Sequence, residues 1–416
     1  MIAPRRAVFP MNAPRNVVGW IVGFVSSLLG DQVYFIALSV VASQQTDPAM
    51  TGVILAAASV PRLLILLVGG TIADRISAKR IILVTDTARA LILIGLAAVL
   101  FLRAESLTAV ALLVIALVFG ALDGFFAPAM GAVPARIASD DQLTRMAAVR
   151  TVGQRLVLLV GGPLTGWLML LFGPAAAFGG AALLFVISVS SLLLLQVPRP
   201  LPYELRMMRE RSIMSETVAG LKSTWANRPV FWLLVVIAAT NFGFAGPVTV
   251  GYPLLGQQND WGSVGVGYLF GGLGLGAAVT ATVLLIIKRP PRAGVFAFTA
   301  LAVMGLSLIL HGFATSLQVA VTTAVLLGLG TGGYGTLLLA HLMTITPKSE
   351  IGRVMGLLTL ALEGVVPISH ALTGFLTGPL GAELPFIAGG IVVLGSTLLA
   401  LSQPRLRGFE LAKTYR

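Results

Sequence analysis

The chain has 416 residues, 57% of them hydrophobic and 11% charged, with a mean hydropathy of +0.95 and a formal net charge of +12. A soluble domain carries roughly 25% charged residues, so this composition excludes a water-soluble globular protein and makes lipid most of the solvent. The lack of cysteine excludes disulfides, thiol catalysis and cysteine-type zinc or iron–sulfur sites.

Residues 1–16 are basic and proline-bearing, with no small-residue cleavage site, and read as an uncleaved cytoplasmic tail. Beyond them, about 20 apolar residues are needed for each helical crossing of a bilayer. Counting such runs predicts twelve spans: 17–43, 50–73, 80–102, 107–130, 146–172, 176–196, 229–256, 263–287, 294–314, 317–344, 353–378 and 383–402. They are numbered 1 to 12 below.

An even number of crossings returns the chain to its starting side. That side holds both tails and the loops after spans 2, 4, 6, 8 and 10, with 24 of the 28 Lys and Arg residues; the opposite loops hold only Arg103. The asymmetry places both termini in the cytoplasm. It also removes the nucleic-acid reading of the net charge, because the basic residues are an orientation signal spread over short loops. Lys occurs at only five positions and Arg takes the rest, which with the Ala/Gly/Leu bias suggests a GC-rich bacterial genome; the expected location is the bacterial cytoplasmic (inner) membrane.

The longest loop, 197–228, carries Met214, Val218, Leu221 and Trp225 on one helical face. Ser212 is placed to cap this helix and Pro229 to end it. An amphipathic helix on the inner leaflet would join a six-helix half at 17–196 to a second at 229–402, followed by a tail at 403–416. Sliding the chain by 208 lays Leu164–Leu168, "LTGWL", on Leu372–Leu376, "LTGFL". It also brings Gly120 and Gly124 onto Gly328 and Gly332, Arg145 onto Arg353, and Arg80 onto Lys288. Two parallel six-span repeats are a transporter plan.

The loop between spans 2 and 3 reads Gly70-Thr-Ile-Ala-Asp74-Arg75-Ile-Ser77-Ala78-Lys79-Arg80. Asp74 sits at a helix end, and Arg75, Lys79 and Arg80 can tie helix ends together. The stretch resembles the Gly-x-x-x-Asp-Arg-x-Gly-basic-basic signature of the major facilitator superfamily, with Ser77 and Ala78 departing from it. The stretches "LLGDQVYFIAL" in span 1, "FFAPAMGAVPARIASDDQLTRMAAV" after span 4 and "IGRVMGLLTL" opening span 11 resemble its macrolide-efflux and enterobactin-exporter branch of proton antiporters. Gly162-Pro163-Leu-Thr-Gly166 in span 5 resembles the core of the antiporter signature, with Trp167 where a second Gly stands in the family. The resemblance implies an all-α membrane protein of two pseudo-symmetric six-helix bundles, in which span 2 packs on span 11, span 1 neighbours span 5, and the span 5 kink meets span 8.

Ionisable residues within spans are costly and are functional candidates by default. Asp31 and Arg62 fall near the midplane, Arg155 and Glu363 about ten residues into spans 5 and 11, and Asp123 in span 4. Asp31, Glu363 and Asp123 are the proton-coupling candidates. Given the family packing, two ion pairs are expected: Arg62–Glu363 across the halves, and Asp31–Arg155 within the first. Asp86 and Arg89 lie close to the end of span 3 and are set aside. Tyr34, Phe126, Asn241, Phe242, Phe244 and Tyr334, from spans 1, 4, 7 and 10, are expected to line a substrate cavity, with His370 on a nearby path. His311 and His341 read as hydrogen-bonded structural residues.

No cluster suits a metal, no nucleotide-binding motif supplies ATP, and Gly-rich span 8 reads as close helix packing rather than a dinucleotide site. The expectation is therefore not an enzyme. It is a cofactor-free monomeric secondary transporter that exports a small amphipathic or hydrophobic compound in exchange for protons. The same fold could take up a nutrient with protons or move a lipid between leaflets. A sensor without transport is disfavoured by the short loops.

Overall fold

The computed structural model of the protein describes residues 13–75, 77–103, 107–138, 140–195, 227–287, 292–347 and 350–403. Twelve helices within them are long and apolar enough to cross a membrane. In the first half these are Ala13–Gln45, Pro48–Arg75, Ala78–Arg103, Ala109–Ala132, Asp140–Phe172 and Pro174–Leu193. In the second half, span 7 is Arg228–Gln258. It is followed by Gly262–Ile287, Ala293–Gly312, Leu317–Ile345, a broken span 11 within Ile351–Leu380, and Glu383–Ser402. The expected linker helix lies outside the described residues, as do both tails apart from their innermost few positions. The side chains of Asp74 and Arg75 are also outside them.

Short-range chemistry sets the turns. Asp47 accepts the Met50 N–H at 2.9 Å in front of Pro48, which opens span 2. Thr108 accepts the Ala111 N–H at 3.2 Å and caps span 4. Gly173, with φ of 79°, separates span 5 from Pro174 at the start of span 6. Lys79 donates to the carbonyls of Leu193 and Leu195 at 2.7 and 2.6 Å, so it closes the free end of span 6 against span 3.

Two spans depart from regular α-helix. Pro247 lacks the N–H that would bond Gly243, and span 7 widens to a π-turn over Pro247–Gly251. Span 11 breaks between Ile351–Glu363 and Val366–Leu380. There Pro367 offers no N–H to the Glu363 carbonyl, and the Asn241 side-chain amide donates to the exposed carbonyl of Leu362.

In the first half, span 1 packs on spans 5 and 6, span 2 on span 4, and span 3 on spans 4 and 6; the second half repeats this with spans 7 to 12. Across the halves, span 2 meets span 11 and span 5 meets span 8. Both seams are built on glycine. Cβ atoms built on Gly52 and Gly374 would each lie within 3.0 Å of the other residue's backbone, and one on Gly162 would lie 2.9 Å from the Gly271 nitrogen. The seams lie toward the face opposite the termini. Nearer the termini Val152 and Leu156 of span 5 are 50% and 53% exposed, and Gly352 and Gly356 of span 11 meet nothing within 4 Å. The bundle is thus closed on the far face and open toward the terminal face.

The same contacts refine the internal repeat. Ala58 meets Gly120 as Leu273 meets Gly328, and Gly52 meets His370 as Gly267 meets Gly162. Spans 4 and 5 therefore map onto spans 10 and 11 with the shift of 208. Span 2 maps onto span 8 with a shift of 215 (Gly52 to Gly267, Ala58 to Leu273), so the uniform slide expected from sequence fails there by two helical turns.

Candidate functional site

Between the halves lies a cavity of about 500 Å³, walled by spans 1, 2, 4, 5, 7, 8 and 10. Asp31, Tyr34, Arg62, Asp123, Arg155 and Phe244 all line it. Phe35, Phe119 and Phe270 add apolar wall. Tyr34 stacks on Phe119 with ring centroids 3.6 Å apart.

Behind this wall stands the residue pair that the sequence reading set aside. Arg89 is fully buried and reaches three carboxylates: Asp31 at 3.3 Å, Asp86 at 3.4 Å and Asp123 at 3.1 Å. Its guanidinium also lies 5.5, 4.8 and 5.5 Å from the ring centres of Phe119, Phe126 and Phe185. Asp86, equally buried, accepts from Ser27 at 3.1 Å and from Ser188 at 2.7 Å. A signal for this pair exists in span 3. Ile82, Asp86, Arg89, Leu93 and Leu96 share one helical face and are buried, while Val84, Leu91 and Ile94 face outward. Charges opposite an apolar outward stripe have to point inward.

The network continues to the other half. Arg62 lies 2.9 Å from Asp123 and 3.4 Å from Glu363, so the expected cross-half contact forms and is shared with a second acid. It is the ion pair between the halves among the described residues.

The expected Asp31–Arg155 pair does not form, and helix register gives the reason. On the span 1–span 5 interface Gly153 faces Val25 and Gly161 faces Gln32. Asp31 is therefore level with residue 160, about 7 Å along the helix from Arg155, and takes Arg89 instead.

Five further candidates sit elsewhere than on the cavity wall. Phe126 is buried under the Arg89 guanidinium, one turn from Asp123. Asn241 holds the break in span 11. The carbonyl of Phe242 accepts from the Ser369 hydroxyl at 2.6 Å. Tyr334 is buried in the packed interior of the second half. His370 lies in the span 2–span 11 seam, its Nδ1 3.4 Å from the Ser59 hydroxyl. Gly162, Pro163 and Gly166 form the first-half side of the span 5–span 8 seam, where Pro163 fills the space in front of Gly271 and the Ser263 hydroxyl donates to the Gly166 carbonyl at 3.1 Å. Among the described residues no group of His, Asp and Glu could hold a metal ion.

Comparison with known proteins agrees with this architecture. The profile of the Major Facilitator Superfamily matches residues 20–361. The chain is 27% identical over 359 residues to the enterobactin exporter EntS of Shigella flexneri, covering 83% of this chain and 81% of that protein. It is 28% identical over 356 residues to the enterobactin exporter EntS of Escherichia coli O1:K1, with the same coverage. Among solved structures, a POT family transporter in complex with 5-aminolevulinic acid superposes with a TM-score of 0.69 at 16% identity, covering 94% of this chain and 96% of that one. A D-xylose-proton symporter gives 0.69 at 12% identity, covering 95% and 98%. These two likenesses are of fold. The profile match over most of the chain, with twelve spans in two related halves around a central cavity, shows that this protein belongs to the major facilitator superfamily and is a membrane transporter of small molecules, not an enzyme.

Proposed function

We propose that the protein is a proton-coupled exporter that carries a small amphipathic compound out of the bacterial cytoplasm by alternating access. The observation that carries this reading is the ion network that joins the cavity wall to the residues behind it. Four carboxylates, Asp31, Asp86, Asp123 and Glu363, share two guanidiniums, Arg62 and Arg89. Two cations cannot neutralise four anions away from bulk water, so the surplus provides places where protons bind and leave.

Coupling follows from which half owns each group. Arg62 and Asp123 belong to the first half and move together, whereas Glu363 belongs to the second. Rocking of the halves parts Glu363 from Arg62 and leaves Arg62 with Asp123. A proton taken by Glu363 at that moment offsets the lost cation, which ties protonation to conformation. The basic residues of the terminal face put that face in the cytoplasm, so the present arrangement is open inward, ready to load. Export as the direction is supported by the exporters among the relatives. The aromatic wall suits an amphipathic compound.

Proteoliposomes with an imposed pH gradient test this. A panel of antibiotics, siderophores and dyes is added, and dissipation of the gradient is recorded. A compound that collapses it with wild type, but not with Asp31→Asn or Glu363→Gln, supports proton exchange through this network. Equal dissipation by both variants, or none by wild type, overturns it.

A further inference from the structure

We propose that Arg155, with Gln32 deeper in the same cavity, is the element that recognises an oxyanion on the substrate, a carboxylate or a similarly delocalised acid. This rests on the reading of the central cavity as the substrate path. Asp31 and Asp123 line the cavity, and carboxylates without partners there would favour a neutral or weakly cationic compound. The structure reverses that balance. Asp31 and Asp123 each have a guanidinium within 3.3 Å. Arg155 lines the same cavity and has no hydrogen bond or ion pair among the described residues. Among the charged residues that line the cavity, the one with no ion-pair partner is the cation Arg155.

The internal repeat shows why Arg155 has no partner. With the shifts established by the glycine seams, Arg155 occupies the place of Glu363, Ala277 that of Arg62, and Thr331 that of Asp123. The ion site of one pseudo-symmetry copy, Arg62–Asp123–Glu363, becomes Ala277–Thr331–Arg155 in the other. The second copy keeps a cation and lacks the acid that would satisfy it. A half-buried guanidinium inside a membrane span is costly unless paired, and here the pairing group has to come from the ligand.

The surroundings fit an aromatic acid. The guanidinium fork favours two coplanar oxygens over a point charge. Gln32 also lines the cavity, and its amide has no hydrogen bond among the described residues, so it supplies another donor. Tyr34, Phe244 and Phe270 provide apolar wall for the rest of the molecule. Arg155 lies about two turns nearer the open face than Gln32, so an entering anion meets it first.

The test uses the full-length protein in phosphatidylcholine nanodiscs and two matched pairs of probes, dansylglycine with dansylglycinamide and 2-naphthoate with 2-naphthamide. Binding is read by fluorescence. Wild type is expected to bind the acid of each pair about tenfold more tightly than the amide, as one charge-assisted hydrogen-bond pair provides. Arg155→Gln should bring the ratio close to one by weakening the acid far more than the amide, and the amide binding that remains reports a folded cavity. Arg155→Lys should restore part of the preference. Wild type that binds the acids no better than the amides, or binds neither, overturns the proposal, and so does an acid preference that survives in Arg155→Gln. Proton movement is scored separately in proteoliposomes. Loss of acid preference in Arg155→Gln, with no proton movement in wild type, would leave the anion site standing and remove the proton coupling. Proton movement with an unaltered acid preference in Arg155→Gln would do the reverse.

Discussion

Gly52 and Gly374 meet backbone to backbone across the two halves, so that a Cβ added to Gly374 would lie 2.7 Å from the Gly52 Cα. Nothing but glycine fits this seam; in its pseudo-symmetric copy a Cβ on Gly267 would lie 3.3 Å from the Gly166 Cα. Gly374→Val should force spans 2 and 11 apart at the far face and depopulate the arrangement that is open toward the terminal face. The chain has no cysteine, so spin labels at Asp47→Cys and Leu380→Cys report the separation cleanly. Their distance distribution should shift to longer values in Gly374→Val; an unchanged distribution would show that the seam is not what closes this face.

Arg89 has no exposure, as its neighbour Asp86 has none, and it serves three carboxylates and three aromatic rings at once. Arg89→Met leaves Asp31, Asp86 and Asp123 without their shared cation, a loss of about 3–5 kcal/mol for a broken buried pair. Lys cannot span the same positions with a single ammonium. Both variants should show a markedly lowered midpoint in thermal unfolding in detergent, with Met the worse. A midpoint within a few degrees of wild type for Arg89→Met would mean that the carboxylates are satisfied without it.

Glu363→Gln acts on a different property. Arg62 keeps Asp123 at 2.9 Å, and the side chains of the lost pair are 38% and 27% exposed, so stability should change by no more than about 1 kcal/mol. What is lost is the ionic tie between the halves. Labels at Val152→Cys and Leu285→Cys, on the terminal-side ends of spans 5 and 8, should show a broader distance distribution in Glu363→Gln. A distribution identical to wild type would remove Glu363 from the conformational role.

Much of this architecture was legible in the sequence because a bilayer imposes length and polarity on every span. The twelve crossings and the two halves follow from run lengths and the internal repeat, and the 2–11 and 5–8 packing is what the family resemblance implies. The charged site was only half legible. Depth along a helix pointed to Asp31, Arg62, Asp123 and Glu363, but depth does not specify rotation or register. Arg89 was passed over because it sits near a helix end, although the outward stripe of Val84, Leu91 and Ile94 fixes its face. Arg155 was matched to the wrong acid because a five-residue offset between parallel helices cannot be seen in either helix alone. Asn241 was read as a cavity residue because the break that it holds in span 11 is a tertiary event, set by Pro367 and by a neighbour more than 100 residues away.

The same junction gives the last prediction. Ser369, just past the break in span 11, inserts its hydroxyl into the ladder of span 7, accepting from the Gly246 N–H at 2.8 Å and donating to the Phe242 carbonyl at 2.6 Å. Those two backbone groups are the donor and acceptor of one α-helical turn. The hydroxyl bridges them at the last turn of the α-helix Arg228–Gly246, immediately before Pro247 and the π-turn. Ser369→Ala should let the Phe242–Gly246 rung close, offsetting most of the lost hydrogen bonding, so unfolding should shift by about 1 kcal/mol or less. Span 7 would straighten, and its far end, which packs on span 1, would move. Hydrogen exchange over residues 242–252 separates the outcomes: slower exchange in Ser369→Ala marks a closed ladder, whereas faster exchange would show that the serine stabilises this segment rather than bending it.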